Sequence, residues 1–248
     1  MTPFPYDLVG PIGSAATLGL IVLQSDLTIE HDFRRLFADP RFALYVSRVP
    51  SGDEVTPETL TAMKDELPRA ASLLPPAARF DAIGYGCTSA STLIGPDAVT
   101  RLVRQGAQTK AVANPLSAAL AALGWVQAKR VALVTPYIES VVAPMRAAFE
   151  AAGVSVPATL TFGEEKEENV ARISPDSIKA AALHVGGGPD VDAVFLSCTN
   201  LRTLDIIDDL EDRLGKPVLS SNQVLAWQMA EMAGGIALNN PPGKLFRR

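Results

Sequence analysis

The sequence predicts a duplicated α/β protein, two helix-covered parallel sheets related by a pseudo-twofold axis with a ligand cleft between them. Short apolar runs alternate with amphipathic stretches along the chain, the pattern of strands covered by helices. The two cysteines, Cys87 and Cys198, each stand where such a run gives way to small polar residues. Aligned on them, Asp81 falls on Asp192, Ala82 on Ala193, Ile83 on Val194 and Thr88 on Thr199. The spacing between the two cysteines also carries Gly19-Leu20-Ile21-Val22-Leu23 onto Arg130-Val131-Ala132-Leu133-Val134. One register matching at two separate places implies an internal repeat.

The elements follow in order. Apolar runs predict strands over 18–23, 42–49, 81–85, 130–134, 154–162, 193–196 and 217–219. Thr56-Pro57-Glu58 and Ser174-Pro175-Asp176 are helix starts, each with a hydroxyl cap, a proline at the first helical position and an early acid. Gly124 and Gly215 are read as helix stops. The charged stretch 163–174 reads as a solvated loop or frayed turn, and Gly186-Gly187-Gly188-Pro189 as a flexible connector. No Walker motif and no G-x-G-x-x-G fingerprint occurs. The first lobe is expected over 1–113 and the second over 114–221, with a last helix at 222–232 returning the tail, 222–248, to the first lobe.

Composition narrows the function classes. The 248 residues, 48% apolar and 20% charged, suit a globular protein with a substantial core. A net charge of −5 argues against a nucleic-acid partner. No apolar run reaches the ~20 residues that span a bilayer, and Asp26 interrupts the first apolar stretch, against a secretory signal. Two free cysteines fit a reducing cytoplasm. With only two cysteines and two histidines, His31 and His184, and no ligand spacing among them, no metal site is expected.

Ligands of open parallel sheets bind beyond the carboxyl ends of the strands. Both cysteines fall there, as do Asp26 and Tyr137, which stand as far apart in the chain as the cysteines do, so four polar residues point at one cleft. A thiol at a strand-to-helix turn meets exposed N–H groups that favour its thiolate. Thr88, Ser89, Ser91 and Thr199 add hydroxyl donors suited to a substrate carboxylate. Two thiols flanking one carbon permit catalysis by one as thiolate base and the other as thiol acid. The alternative is that both are small buried strand-end residues.

Gly86-Cys87-Thr88-Ser89-Ala90-Ser91 and Ser197-Cys198-Thr199-Asn200 resemble the paired cysteine motifs of the aspartate/glutamate racemase superfamily. Val134-Thr135-Pro136-Tyr137 resembles the opening of the second lobe in its maleate cis-trans isomerases and arylmalonate decarboxylases, where the tyrosine binds a substrate carboxylate. Residues 19–26 resemble the first strand and its loop. Similarity is greatest to the maleate isomerase branch and the racemase-like proteins of ectoine utilisation. The resemblance implies a cofactor-independent isomerase or racemase of a small carboxylate, built of two Rossmann-like lobes. It implies Cys87 and Cys198 as catalytic partners, with Asp26, Thr88, Ser89, Tyr137, Thr199 and Asn200 binding substrate.

Departures sharpen this reading. Maleate isomerases carry asparagine where Asp26 stands here, and a carboxylate there suits a substrate ammonium better than a dicarboxylate. Glutamate racemases place histidine after the second Cys-Thr pair, where Asn200 stands and cannot act as a general acid. Arylmalonate decarboxylases keep only the second cysteine, so Cys87 counts against simple decarboxylation, and an arylmalonate-type decarboxylase stands as the alternative activity. A binding protein that closes on its ligand without turnover is the reading from a different class, and a homo-oligomer is left open. Asp26 as a helix cap, Tyr137 as a packing residue, Arg202 in a surface pair with Asp205 or Asp209, and Asn222 either facing the cleft or capping the last helix are further alternatives.

Overall fold

The computed structural model describes residues 1–247. Its first sheet contains β1 (Ala16–Leu23), β2 (Phe42–Val49), β3 (Phe80–Gly86) and β4 (Thr109–Ala113), in the order β2-β1-β3-β4. Its second contains β5 (Arg130–Thr135), β6 (Ser155–Thr161), β7 (Ala193–Leu196) and β8 (Val218–Ser220), in the order β6-β5-β7-β8. All pairings within both sheets are parallel. The orders coincide when β5 replaces β1 and β7 replaces β3, which is the duplication in three dimensions.

Two aspartates show that the repeat is structural. Asp81 accepts the Thr17 N–H at the start of β1 (2.9 Å). Its counterpart Asp192 accepts the Arg130 N–H at the start of β5 (2.9 Å). Each side chain thus ties the third strand of its lobe to the beginning of the first, satisfying a backbone donor the ladder leaves open.

Parallel strands covered on both faces bury nearly every side chain; Leu18, Leu20, Ile21 and Val22 of β1 are fully buried. The covering helices are α1 (Ile29–Leu36), α2 (Pro57–Ser72), α3 (Thr88–Ile94), α4 (Pro96–Gly106), α5 (Pro115–Trp125), α6 (Glu139–Ala151), α7 (Glu167–Val170), α8 (Pro175–Gly186), α9 (Ile207–Leu214) and α10 (Ser221–Met232). Thr56 and Ser174 cap α2 and α8 as expected, and Gly215 ends α9 in the left-handed conformation (φ 69°). Leaving β8, α10 packs against β3, β4, α1 and α5.

Four local expectations are corrected. β4 carries no strand signal, because its five residues form a sheet edge with Lys110 exposed, too short and too polar for an apolar run. Gly124 lies inside α5, and Gln127 (φ 58°) takes the left-handed position after it. Gly186 belongs to α8, where a Cβ would meet Val194 Cγ2 at 2.6 Å. The charged stretch after Gly163 contains α7, whose Glu167 and Val170 are buried.

Candidate active site

Asp26, Cys87, Tyr137 and Cys198 follow β1, β3, β5 and β7, the inner strands of the two sheets. Cys87 is the N-cap of α3. Its Sγ accepts the Ala90 N–H (3.4 Å) and lies 3.6 Å from Ser89 Oγ. Cys198 differs from its counterpart. No α-helix starts directly after it, and its φ of 153° is one that residues with a Cβ rarely adopt. Hydrogen bonds hold the turn: Cys198 N–H donates to Ser221 Oγ (3.1 Å), and Sγ accepts the Asn200 N–H (3.4 Å). The expectation that both thiols sit at helix starts therefore holds for Cys87 alone.

Cross-lobe bonds bring these turns together. Thr199 Oγ1 donates to Gly86 O (3.2 Å), and Thr88 Oγ1 donates to Ser221 Oγ (2.8 Å). Asn200 Oδ1 accepts the Leu27 N–H (2.9 Å), while Thr28 Oγ1 donates to Asn200 O (2.9 Å). Thr88, Thr199 and Asn200, expected from the sequence to bind substrate, have polar atoms engaged within the protein, where they align the two cysteine turns. Ser91 is engaged likewise, donating to Cys87 O (2.5 Å). Ser89 stands beside Cys87 and Tyr137 beside Cys198.

Asp26 takes up the helix-cap role that stood as its alternative. Its Oδ1 accepts the Thr28 and Ile29 N–H groups (2.8 and 2.9 Å), capping α1. Its Oδ2 is buried and makes no close hydrogen bond; the Thr199 hydroxyl lies near it and 3.2 Å from Gly86 O. Arg48, whose charge reaches Asp26, directs its guanidinium to the carbonyls of Leu23, Gln24 and Asp26 and to Glu30.

Glu167 completes the group, and sequence reasoning missed it within an acidic run taken for solvated. It is 5% exposed, and its Oε2 accepts from Asn200 Nδ2 (2.8 Å). A seam between the lobes holds it there. Glu54 and Lys166 form an antiparallel bridge, Val55 N–H donates to Glu165 O (2.8 Å), and Glu167 N–H donates to Asp53 O (3.1 Å). The repeat contained the missing signal: the spacing of the two cysteines also separates Glu54 from Glu165 and Val55 from Lys166, so symmetry-related loops pair with one another beside the cysteines.

The site is closed: Cys87, Cys198 and Tyr137 are 3%, 4% and 1% exposed. Burial pushes the Cys87 thiol up to about 12, against the opposing pull of the Ala90 N–H and the Ser89 hydroxyl. Burial likewise raises Cys198, with the Glu167 charge adding to it, and raises Tyr137. The same desolvation lifts Asp26, and lifts Glu167 to about 7. The expected N–H activation of the thiols is therefore present but outweighed, and both stay protonated at neutral pH in this closed form. Two clefts flank the loop 25–28. One of about 530 Å³ is lined by Ser25, Leu27, Asp53, Glu54 and Lys166–Glu168; the other, of about 320 Å³, reaches Asp32, Arg35 and Arg202. Arg202 makes no ion pair among the described residues; Arg35 holds Asp205 instead (2.5 Å). The described residues contain no cluster able to hold a metal ion and no helix long and apolar enough to cross a membrane.

Two parallel α/β lobes that enclose one thiol from each, with a tyrosine and buried carboxylates, define a class of two-lobe cysteine proteins. The chain belongs to the arylmalonate decarboxylase family, whose model matches residues 18–246. It is 31% identical over 243 residues to arylmalonate decarboxylase of Bordetella bronchiseptica, covering 94% of this chain and 97% of that one. To the maleate isomerase of Nocardia farcinica it is 28% identical over 215 residues, covering 82% and 84%. A solved cysteine-to-serine mutant of Nocardia farcinica maleate cis-trans isomerase, with a covalently bound succinylcysteine intermediate, superposes with a TM-score of 0.82 at 25% identity, covering 93% and 97%. A liganded double mutant of arylmalonate decarboxylase gives 0.79 at 28% identity, covering 94% and 99%.

Proposed function

We propose that the protein is a two-thiol isomerase of a small carboxylate that also carries an ammonium group, moving a proton from one face of its α-carbon to the other. The observation that carries this reading is the composition of the closed site: one thiol from each lobe, with the buried carboxylates of Asp26 and Glu167 acting on both through their charge. Burial raises both thiols, and the charge of those carboxylates adds to it. A bound ammonium cancels their charge, keeps them ionised and allows one thiol to become a thiolate.

In the proposed step, the thiolate takes the α-proton and becomes a thiol. The C–H electron pair delocalises into the substrate carboxylate, and the opposite thiol delivers its proton to the other face, leaving a thiolate there. Charge and protons balance, and the chain's own residues supply every group. The Ser89 and Tyr137 hydroxyls, next to the two sulfurs, stabilise the carboxylate as it gains charge. Asn200 and Thr199 hold the second thiol in register. Because both thiols are buried, substrate enters when the seam at Glu54 and Lys166 parts. The parting lobes are 1–113 with 222–248 on one side and 114–221 on the other, a division supported by the packing of α10 on the first sheet. Thiols that must remain reduced suit the cytoplasm.

The likeness to maleate isomerases supports a second reading, cis-trans isomerisation. There one thiolate adds to an alkene carbon, the π pair moves to the carbon beside the carboxylate, the single bond rotates and the thiolate leaves. Incubation in deuterated water with amino acids, their N-acyl forms and cis-alkene dicarboxylates separates the two. Label at the α-carbon with loss of configuration supports proton transfer. Changed alkene geometry supports addition, and evolution of carbon dioxide from an arylmalonate would overturn both. Ligand-induced stabilisation with no turnover of any substrate would point to a binding protein.

A further inference from the structure

We propose that Asp32 is a positioning residue that acts across the lobes, using Asn222 to hold the Cys198 turn in its strained conformation. Asp32 lies on α1 of the first sheet's layer and does not touch either sulfur. Its Oδ2 accepts from Asn222 Nδ2 (2.8 Å), and the same Nδ2 donates to Thr199 O (2.8 Å). Asn222 is fully buried, and its Oδ1 has no hydrogen-bond partner. Ser220, not Asn222, caps α10.

Acceptors on two sides fix the orientation of that carboxamide. Thr199 O is an acceptor, and Asp32, which burial lifts to about 7, is ionised and an acceptor only at pH 8, so both demand the amide nitrogen and exclude the amide oxygen there. The unpartnered Oδ1 pulls the other way, since a buried carbonyl gains by rotating toward any donor. Asp32 is therefore the second acceptor that keeps Nδ2 on Thr199 O. Cys198 at φ 153° needs such restraint, because a non-glycine residue keeps this backbone only where its surroundings over-determine it. Further restraints on the turn include Ser221 Oγ on the Cys198 N–H, Thr28 Oγ1 on Asn200 O and Thr199 Oγ1 on Gly86 O. Asp32 also lines the 320 Å³ cleft, along with Arg35, Arg202 and Thr203, so this network joins the outside of α1 to the thiol.

The relevance of Asp32 to turnover rests on the reading of Cys198 as a reacting group; its grip on the turn is tested without substrate. Native full-length protein is alkylated with iodoacetamide at pH 8, and the peptides containing Cys87 and Cys198 are quantified separately by mass spectrometry. Asp32→Ala is expected to speed Cys198 alkylation about 5- to 30-fold, the population change that loss of such a hydrogen bond allows. Cys87, in the same molecule, should keep its rate. Asn222→Ala, which leaves Asp32 in place, should give the same selective acceleration and decides the matter if Asp32→Ala does not fold. The double variant should be no faster than either single, because the two side chains act in series. Asp32→Asn, which keeps an acceptor oxygen, should restore a rate near the parent's. An unchanged Cys198 rate, equal acceleration of both cysteines, multiplied effects in the double variant, or an Asp32→Asn rate as fast as that of Asp32→Ala would each overturn the proposal. Absence of turnover on every substrate leaves these outcomes intact and bears only on the proposed function.

Discussion

Replacing Glu167 with glutamine should flatten the protein's stability between pH 5 and pH 8. Burial lifts this carboxyl from an ordinary 4.5 to about 7, against the Asn200 hydrogen bond that pulls it down. An acid raised in the folded state binds its proton more tightly there than in the unfolded chain. Its contribution to stability is therefore full below the unfolded value and is lost as pH rises through about 7. At 1.36 kcal/mol per unit the whole swing is about 3.4 kcal/mol, of which about 2.5 kcal/mol falls between pH 5 and pH 8. For a chain of this length that is roughly 5–10 °C in melting temperature. Glu167→Gln keeps an oxygen to accept from Asn200 Nδ2 and has nothing to titrate. Urea unfolding of both proteins at pH 5, 6, 7 and 8 should show the variant gaining on the parent by that amount as pH rises. Asp32, also raised by burial, is present in both proteins and cancels in the difference, whereas Asp26 is coupled to Glu167 through its charge and cancels only in part. Parallel pH profiles for parent and variant would refute the argument, since they would mean that Glu167 is not held desolvated at the seam.

Cys87→Ser and Cys198→Ser should each lower turnover about 10³-fold or more while leaving circular dichroism and melting temperature near the parent's; full activity in the Cys87 variant would favour a single-thiol mechanism. Asp26→Asn keeps the oxygen that caps α1, so the fold should persist, but binding of an ammonium-bearing substrate should weaken by roughly 2–5 kcal/mol, read from KM or calorimetry. Unchanged affinity would show that Asp26 is only a cap. Gly106→Ala should cost about 1–3 kcal/mol in thermal unfolding, because a Cβ there would sit 2.1 Å from Pro68 O, where α4 crosses α2. Activity per folded molecule, measured well below the melting temperature, should not change.

Much of the fold was legible because a parallel strand covered on both faces writes itself as an unbroken apolar run. The expected 42–49 and 193–196 coincide with β2 and β7, and the other five expected strands differ only at their ends. β4 was invisible because an edge strand buries one face and can carry Lys110. The cysteine pairing was legible because a duplication preserves spacing. Glu167 was hidden because an acidic run looks the same whether water or another loop covers it; only pairing with residues 53–55 makes one of its glutamates internal.

The sequence by itself determined the α/β class, the internal repeat and the arrival of Asp26, Cys87, Tyr137 and Cys198 at strand ends facing one cleft. These depend on periodicity and spacing, which are properties of the chain read in order. Tertiary structure alone decided which hydroxyls are engaged, that Asp26 caps a helix with one oxygen and leaves the other bare, and that Glu167 joins the site. It also decided that both thiols hold their protons. Partnering and protonation follow from burial, and here burial comes from contacts such as Leu27 with Asn200 and Asp53 with Glu167, made between segments far apart in the chain. No local pattern records such contacts, so the chemistry of this site is a property of the closed interface between the lobes.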